Sequence, residues 1–468
     1  MASSKVTKPT RVGLESIDFR NSDSDVTNSS LGIYPISSGW VSEHFSYAAY
    51  SIKDTQQAIA DNKLKIWARF HKNTGKGSVQ VRAVSVTPPI PDALEQRLFK
   101  RYSGQDAMGH IEPTRVFFGG TGQSVFRGKR SNVPFTITAP QFPKLGIGVY
   151  DIIWRWEFRI LSPRSTDDNE IWMKKWVPIK SSTHRIFIVA DTPKFPWTPF
   201  ILPNFNSAPP YPSPVWAEAL MIACRWAQGS KTIREAGQKI ADQLFASGKF
   251  VYHPDSHYYK EKTAVVTKTL GADGTGQMAV HTRFFYLSKV IERLKGGNGL
   301  GDKVNCLDCS LIVSTLTNVL GGNLRVGKLQ CTSDTDYTQE DIITKNRFEI
   351  KAIKAIGSTD SSSTMAGLEK DGKHYFSFHS IAWQPPEDVE EVTAETFNHP
   401  ESIIYDACVH FVLPSSEDGE EQYETASGLP LGANGETESY RHKLAASTEG
   451  GIDRCIAQPE TVIKIQLQ

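Results

Sequence analysis

Eight prolines crowd into residues 193–214 of a 468-residue chain, at positions 193, 196, 199, 203, 209, 210, 212 and 214. Proline fixes φ and removes a backbone donor, so a stretch this dense in it can be neither a helix interior nor a central strand. It predicts an extended, semi-rigid connector and divides the chain. At about 150 residues per domain the length allows two to four domains.

Before the connector the dominant period is two. Ile152, Trp154, Trp156, Phe158 and Ile160 alternate with Ile153, Arg155, Glu157 and Arg159, the pattern of a half-buried strand with one aromatic face. That stripe reads as core rather than as a ligand platform. Leu64, Ile66, Ala68 and Phe70 alternate in the same way, as do Val79, Val81 and Ala83, after which the apolar phase moves to Val84 and Val86. That move marks either a bulge or the end of the strand. With turn residues between the runs, residues 31–192 are expected to form an antiparallel, immunoglobulin-like β-sandwich. Residues 1–30, rich in Ser, Thr, Asp and Asn, read as a flexible arm.

After the connector the period becomes helical. Trp216, Leu220, Ala223 and Ala227 share a face, and Thr232 with Glu235 is a capping-box pattern. Further helices are expected from Phe284 to Leu294 and from Cys306 to the glycines at 321 and 322. Strands return near 348–354, 374–383, 403–413 and 461–467. Residues 415–452 are polar and read as a mobile excursion. Helices first and strands afterwards indicate an α+β domain over 215–468.

Composition narrows the function. Lys+Arg total 52 against 51 Asp+Glu, a balance that argues against a partner bound through phosphate neutralisation, so no nucleic acid is expected. No run reaches the roughly 20 apolar residues of a membrane span. The start carries no secretory signal, which suggests a soluble, cytoplasmic protein, with non-classical secretion as the other route. Six cysteines are too few for a disulfide scaffold.

One cysteine is placed for chemistry. In Asn305-Cys306-Leu307-Asp308-Cys309-Ser310, a Gly-rich loop precedes and an apolar helical stripe (Ile312, Leu316, Val319, Leu320) follows. Cys306 therefore opens a helix, where unpaired N–H groups and the macrodipole favour a thiolate and could hold an oxyanion. A nucleophilic thiol needs a base, and the base an orienting group. His379 lies on a strand predicted from Lys373 to Trp383, and Asp406 lies in the apolar run Ile403–Phe411, where a carboxylate must be paired or exposed. Two strands 27 residues apart (406 − 379) can be antiparallel neighbours. Cys306 and Cys309 also fit a redox pair or half a zinc site, but no second Cys-x-x-Cys and no strand–helix–strand context accompany them.

The segment Cys306–Val326 resembles the core motif of the transglutaminase-like superfamily. A Cys opens a helix, an acidic residue (Asp308) stands two positions on, and a small residue (Ser310) two further. Gly321 and Arg325 follow at the usual intervals of 15 and 19 residues (321 − 306 and 325 − 306). His379 with Trp383, and Asp406, fit the family's His near a Trp on one strand and Asp on the next. Trp383 follows the His by four residues where the family usually has two, and Gly-Gly-Asn-Leu-Arg replaces the usual Gly-Ile-Pro-x-Arg. The resemblance covers about residues 210–468. It implies a transglutaminase/papain-like domain with N-terminal helices and an antiparallel sheet. Catalytic Cys306, His379 and Asp406 are then supported by Asn305, Asp308, Arg325 and Trp383, Asn305 being the adjacent choice for the oxyanion site. It implies a thioester intermediate on an amide of a protein or peptide, resolved by water or, second, by an amine. No cofactor and no metal are expected: the zinc ligands of the family's deglycosylases and a calcium loop are both missing. The β-sandwich would recruit a protein partner. From another class comes a non-catalytic interaction protein with the domain as a retained scaffold.

Overall fold

A computed structural model describes residues 10–20, 33–34, 47–52, 63–73, 77–86, 114–115, 121–127, 129–138, 145–161, 171–197, 215–255, 258–269, 275–331, 347–358, 368–370, 373–386, 397–413, 421–432, 436–446, 455–459 and 464–467. The fold is mixed α+β, with more strand than helix. The chain forms two compact units: among the described residues the first holds those up to Asp191 apart from Tyr34, and the second holds Tyr34 and those from Thr192.

The first unit holds β1 (Val12–Arg20), β2 (Tyr47–Ser51), β3 (Lys63–Lys72), β4 (Val79–Ser85), β5 (Thr121–Phe126), β6 (Arg130–Thr138), β7 (Gly148–Ile160) and β8 (Val177–Val189). One sheet has the order β1-β3-β6. The other has β2-β8-β7-β4-β5, with Thr114–Arg115 also on β7. Their inward side chains make one core: Phe70 and Phe135 from the first sheet meet Trp156 of the second at 5.6 and 5.3 Å between ring centroids, with Leu14, Val133, Val81, Ile152 and Ile186 around them. Edge-to-face geometry suits the ring quadrupoles. The Trp156 indole N–H donates to Ser182 Oγ at 2.7 Å, which spares it an unpaired burial.

Three expectations change, and one open choice is decided. Pairing is not wholly antiparallel, since β2 runs parallel to β8 and Thr114–Arg115 parallel to β7. Residues 12–20 are not part of an arm: they pair with β3, and a register shift between Leu14 and Ser16 breaks the alternation that would have marked a strand. The phase change after Ala83 is the strand's end, because β4 stops at Ser85 with an unbroken register on both neighbours. Finally, β7 is buried on both faces over most of its length. Its charged side is covered: Glu157 takes Arg82 at 2.6 Å and Arg155 at 2.9 Å, and the Trp176 ring lies 4.1 Å from the Arg82 guanidinium and 4.7 Å from that of Arg159.

The second unit contains α1 (Ala217–Trp226), α2 (Ile233–Ala246), α3 (Leu287–Leu294), α4 (Cys306–Asn318) and α5 (Tyr440–Leu444). Its strands are β9 (Tyr259–Thr269), β10 (Thr275–Phe285), β11 (Arg325–Cys331), β12 (Ile353–Ala355), β13 (Phe378–Gln384), β14 (Ile403–Leu413), β15 (Gln422–Pro430), β16 (Cys455–Pro459) and β17 (Lys464–Leu467). The main sheet, β12-β14-β13-β11-β16 with β15 on β14, is antiparallel throughout. Against it lies α4, whose 13 residues are all buried, so its sequence stripe understates its contacts. A helix buried on every side must satisfy its ends internally. At the C-terminal end Asn318 accepts from Leu324 N–H at 2.7 Å and donates to the Leu324 and Phe195 carbonyls. Trp197 is fully buried and donates to Thr315 O at 2.8 Å. The start of the proline-rich segment is therefore packed on α4, while residues 198–214 of the predicted connector lie outside the described residues.

Two more expectations shift here. The predicted strand 373–383 is two strands that meet at Ser377: Lys373–Phe376 joins a small sheet with Phe348–Ile350 and Leu368–Lys370, and only β13 enters the main sheet. The described part of the predicted mobile excursion 415–452 is β15 and α5. Replacing Trp156 by Ala is expected to cost the first unit about 3–5 kcal/mol, measured as a lower urea midpoint. An unchanged midpoint would remove Trp156 from the core.

Candidate active site

The turn before α4 is built by a reciprocal cap. Asn305 Oδ1 accepts from Asp308 N–H at 2.9 Å, and Asp308 Oδ2 accepts from Asn305 N–H at 3.1 Å, a pairing that stabilises a helix start by about 1 kcal/mol. The other Asp308 oxygen accepts from Tyr258 N–H at 2.8 Å, which ties the 258 loop to the helix. Asp308 is thus a structural carboxylate. Asn305 spends its carbonyl oxygen on the cap. Burial pushes Asp308 up to about 7, against the pull of those two amides and of Arg283.

The cap leaves Cys306 as the first helical residue. Its own amide and that of Leu307 stand in the first turn, where no intrahelical acceptor exists. Cys306 is 7 % exposed and hydrogen-bonds the His379 ring. His379 stands near the start of β13, opposite Leu329 of β11. Its Nε2 lies 2.7 Å from Asp406 Oδ2, with both side chains almost wholly buried, so Nδ1 is the nitrogen left for the sulfur. Phe376 stacks on the imidazole at 5.2 Å. Burial works against the imidazolium, but the charge and hydrogen bond of Asp406, with help from Cys306, outweigh it and push His379 up to about 10.

Asp406 sits on β14, which pairs with β13. Besides His379, its Oδ2 accepts from the Tyr440 hydroxyl at 2.6 Å, and its Oδ1 accepts from Cys408 N–H at 2.7 Å. A carboxylate is costly to bury unless its oxygens find donors, and these three supply them. Two further thiols are close by. Cys309 and Cys408 are hydrogen-bonded to each other, so the partner of Cys309 is across the sheet rather than within Cys-x-x-Cys. That bond lowers Cys309, while burial and the neighbouring Asp308, Asp406 and Cys306 leave it raised. Burial raises Cys408 further.

The structure therefore brings Cys306, His379 and Asp406 together. Arg325 and Trp383 are not in that group. They face each other in the β11–β13 register four residues beyond the Leu329–His379 pair, about 13 Å along the strand. Trp383 stacks on Phe397 at 4.4 Å, and burial lowers Arg325. Two site residues had no sequence signal that we read. Tyr440 comes from the segment whose polar composition suggested mobility. The Tyr252 phenol, raised by burial and by Cys306, Cys408, Cys309 and Asp406, is kept protonated beside the thiols. Its strand, Val251–Tyr252, pairs with Lys303–Val304 just before α4.

Among the described residues no group of three or more His, Cys, Asp or Glu is arranged to hold a metal, and no helix is long and apolar enough to cross a membrane. No family model and no curated protein matches the chain. A solved structure of a bacterial adhesin from Mobiluncus mulieris, containing intramolecular disulfide, isopeptide and ester bond cross-links, matches at 7 % identity and a TM-score of 0.19, covering 39 % of this chain and 58 % of the adhesin chain. The match thus spans under two thirds of that chain.

The cap makes a pH prediction. An acid raised in the folded state stabilises it most at low pH, and that contribution fades as pH climbs from about 4 to about 7. Asp308→Asn should remove this slope from urea midpoints taken across that window. It should also cost about 1–3 kcal/mol, since an amide cannot accept both backbone bonds. A slope identical to wild type would refute the assignment.

Proposed function

We propose that the chain is a cysteine-dependent hydrolase of amide or peptide bonds in a protein or peptide, acting through Cys306, His379 and Asp406. Its second unit then has the transglutaminase/papain-like fold that the sequence resembles, and its first unit is an immunoglobulin-like sandwich that binds a protein partner. The observation that carries the reading is one buried imidazole between a thiol and a carboxylate, with Nε2 on Asp406 and Nδ1 left for Cys306.

In this reading the Cys306 thiolate attacks the carbonyl carbon while His379 holds the proton. The amides of Cys306 and Leu307 at the start of α4 are donors for the oxyanion. His379 gives its proton to the departing amine, a thioester remains, and water brought in through the same imidazole releases the acid. Asp406 keeps the ring oriented and offsets its charge. The burial of Cys306 and His379 favours a second reading, acyl transfer from a glutamine to an amine, because a dry site protects a thioester from water.

Alkylation with iodoacetamide across pH, read by peptide mass spectrometry, tests the nucleophile. Cys306 should be modified well below pH 8 and at least about tenfold faster than Cys224, Cys309 or Cys408, and His379→Ala should abolish that advantage. Equal rates for all four cysteines would sink the enzyme and favour the interaction protein. Residual activity in Cys306→Ala would displace the nucleophile.

A further inference from the structure

Tyr440 reaches the site from a part of the chain far from the cysteine motif. Its hydroxyl donates to Asp406 Oδ2 at 2.6 Å, the same oxygen that faces His379 Nε2 at 2.7 Å. The side chain is fully buried, and its ring packs edge-on to Phe411 at 5.6 Å.

The backbone around Tyr440 is pinned on several sides. Ser439 caps the short helix by accepting from His442 N–H, and Arg441 N–H donates to Leu431 O. Beyond the helix, Lys351 N–H donates to Leu444 O and Ala446 N–H to Glu349 O. The Lys351 ammonium donates to His442 O at 2.7 Å. A tyrosine needed only to fill space would not require its hydroxyl to end on a charged oxygen, and a donor fixed from so many sides cannot swing away.

We propose that Tyr440 is a positioning residue that sets how tightly His379 holds its proton. Two donors share one carboxylate oxygen, and each weakens that oxygen as an acceptor for the other. The phenol therefore moderates the grip of Asp406 on the imidazolium, which leaves His379 a better acid toward the departing amine than an unshared carboxylate would allow. The kinetic part of this inference rests on the hydrolase reading, whereas the effect on the imidazole does not.

The test is an NMR titration of the His379 ring in the full chain, comparing wild type with Tyr440→Phe. Phe keeps the ring and deletes the hydroxyl. The His379 titration should move to higher pH in the variant. With a substrate in hand, kcat should fall about tenfold with KM within about twofold of wild type, the size expected for one hydrogen bond to a charged group. Should Tyr440→Phe fail to fold, a fluorinated tyrosine at position 440, a more acidic donor, should move the His379 titration the opposite way, to lower pH. A His379 titration unchanged by either replacement overturns the proposal. The titration needs no substrate, so the two readings fail separately. A shifted titration with an unreactive Cys306 would leave Tyr440 its role and remove the hydrolase. A reactive Cys306 with an unmoved titration would do the reverse.

Discussion

A carboxylate inside an apolar strand organises much of the second unit. Asp406 lies between Tyr405 and Ala407 on β14, both buried. An ionised group there costs several kcal/mol unless it is paired and hydrogen-bonded. Each of its oxygens is occupied: Oδ2 by His379 and Tyr440, Oδ1 by Cys408 N–H. Turning that amide toward a side chain interferes with normal strand pairing, and the β14–β15 register does break between Tyr405 and His410. Ser427 of β15 bridges the gap, since its hydroxyl accepts from Asp406 N–H and donates to Asp406 O. The irregular stretch of β14 and the placement of α5 thus answer one demand.

The other organising demand comes from α4. Because no side of this helix meets water, solvent cannot satisfy its unpaired ends. At the first, Asn305 pairs reciprocally with Asp308; at the second, the last carbonyls accept from Lys194, Gly321 and Gly322 N–H and from the Trp197 indole, while the Asn318 side chain takes both backbone groups of Leu324. The first cap fixes where the helix starts and so where Cys306 stands. The second fixes the turn into β11, whose register with β13 then sets the height of His379. Small errors at either end would move the thiol and the imidazole relative to each other.

Much of this was legible because it is local. Alternation marked β3, β4 and β7, helical spacing marked α1 to α4, and the Thr232–Glu235 pattern became a cap in which Thr232 Oγ1 accepts from Glu235 N–H. Spacing also singled out Cys306, His379 and Asp406. What stayed hidden depends on contacts between distant residues. A bulge broke the rhythm of β1. The outer face of β7 reads as solvent-facing by its charges, yet Trp176 lies over Arg159 and over Arg82 of the neighbouring β4. β15 and α5 sit in a stretch whose Gly, Ser and Glu suggest disorder by composition, yet its Tyr440 finds a partner 34 residues away. Asp308, matched to a family motif by spacing, is held by the cap and by Tyr258. That second bond spans 50 residues, and no window of sequence displays it.

The three clustered thiols share burial but not surroundings. Cys306, Cys309 and Cys408 are all buried. Cys309 and Cys408 face each other, and neither thiol gains from losing its proton beside Asp406. Cys306 faces an imidazole that Asp406 makes strongly basic. It is also the one at the first position of α4, where the helix field is strongest and falls away within a turn. The same carboxylate therefore acts in two directions: it disfavours a thiolate on Cys309 and Cys408, and it supports the charge on the imidazole that faces Cys306. What sets Cys306 apart from the other two is that a proton acceptor stands between its sulfur and the negative charge.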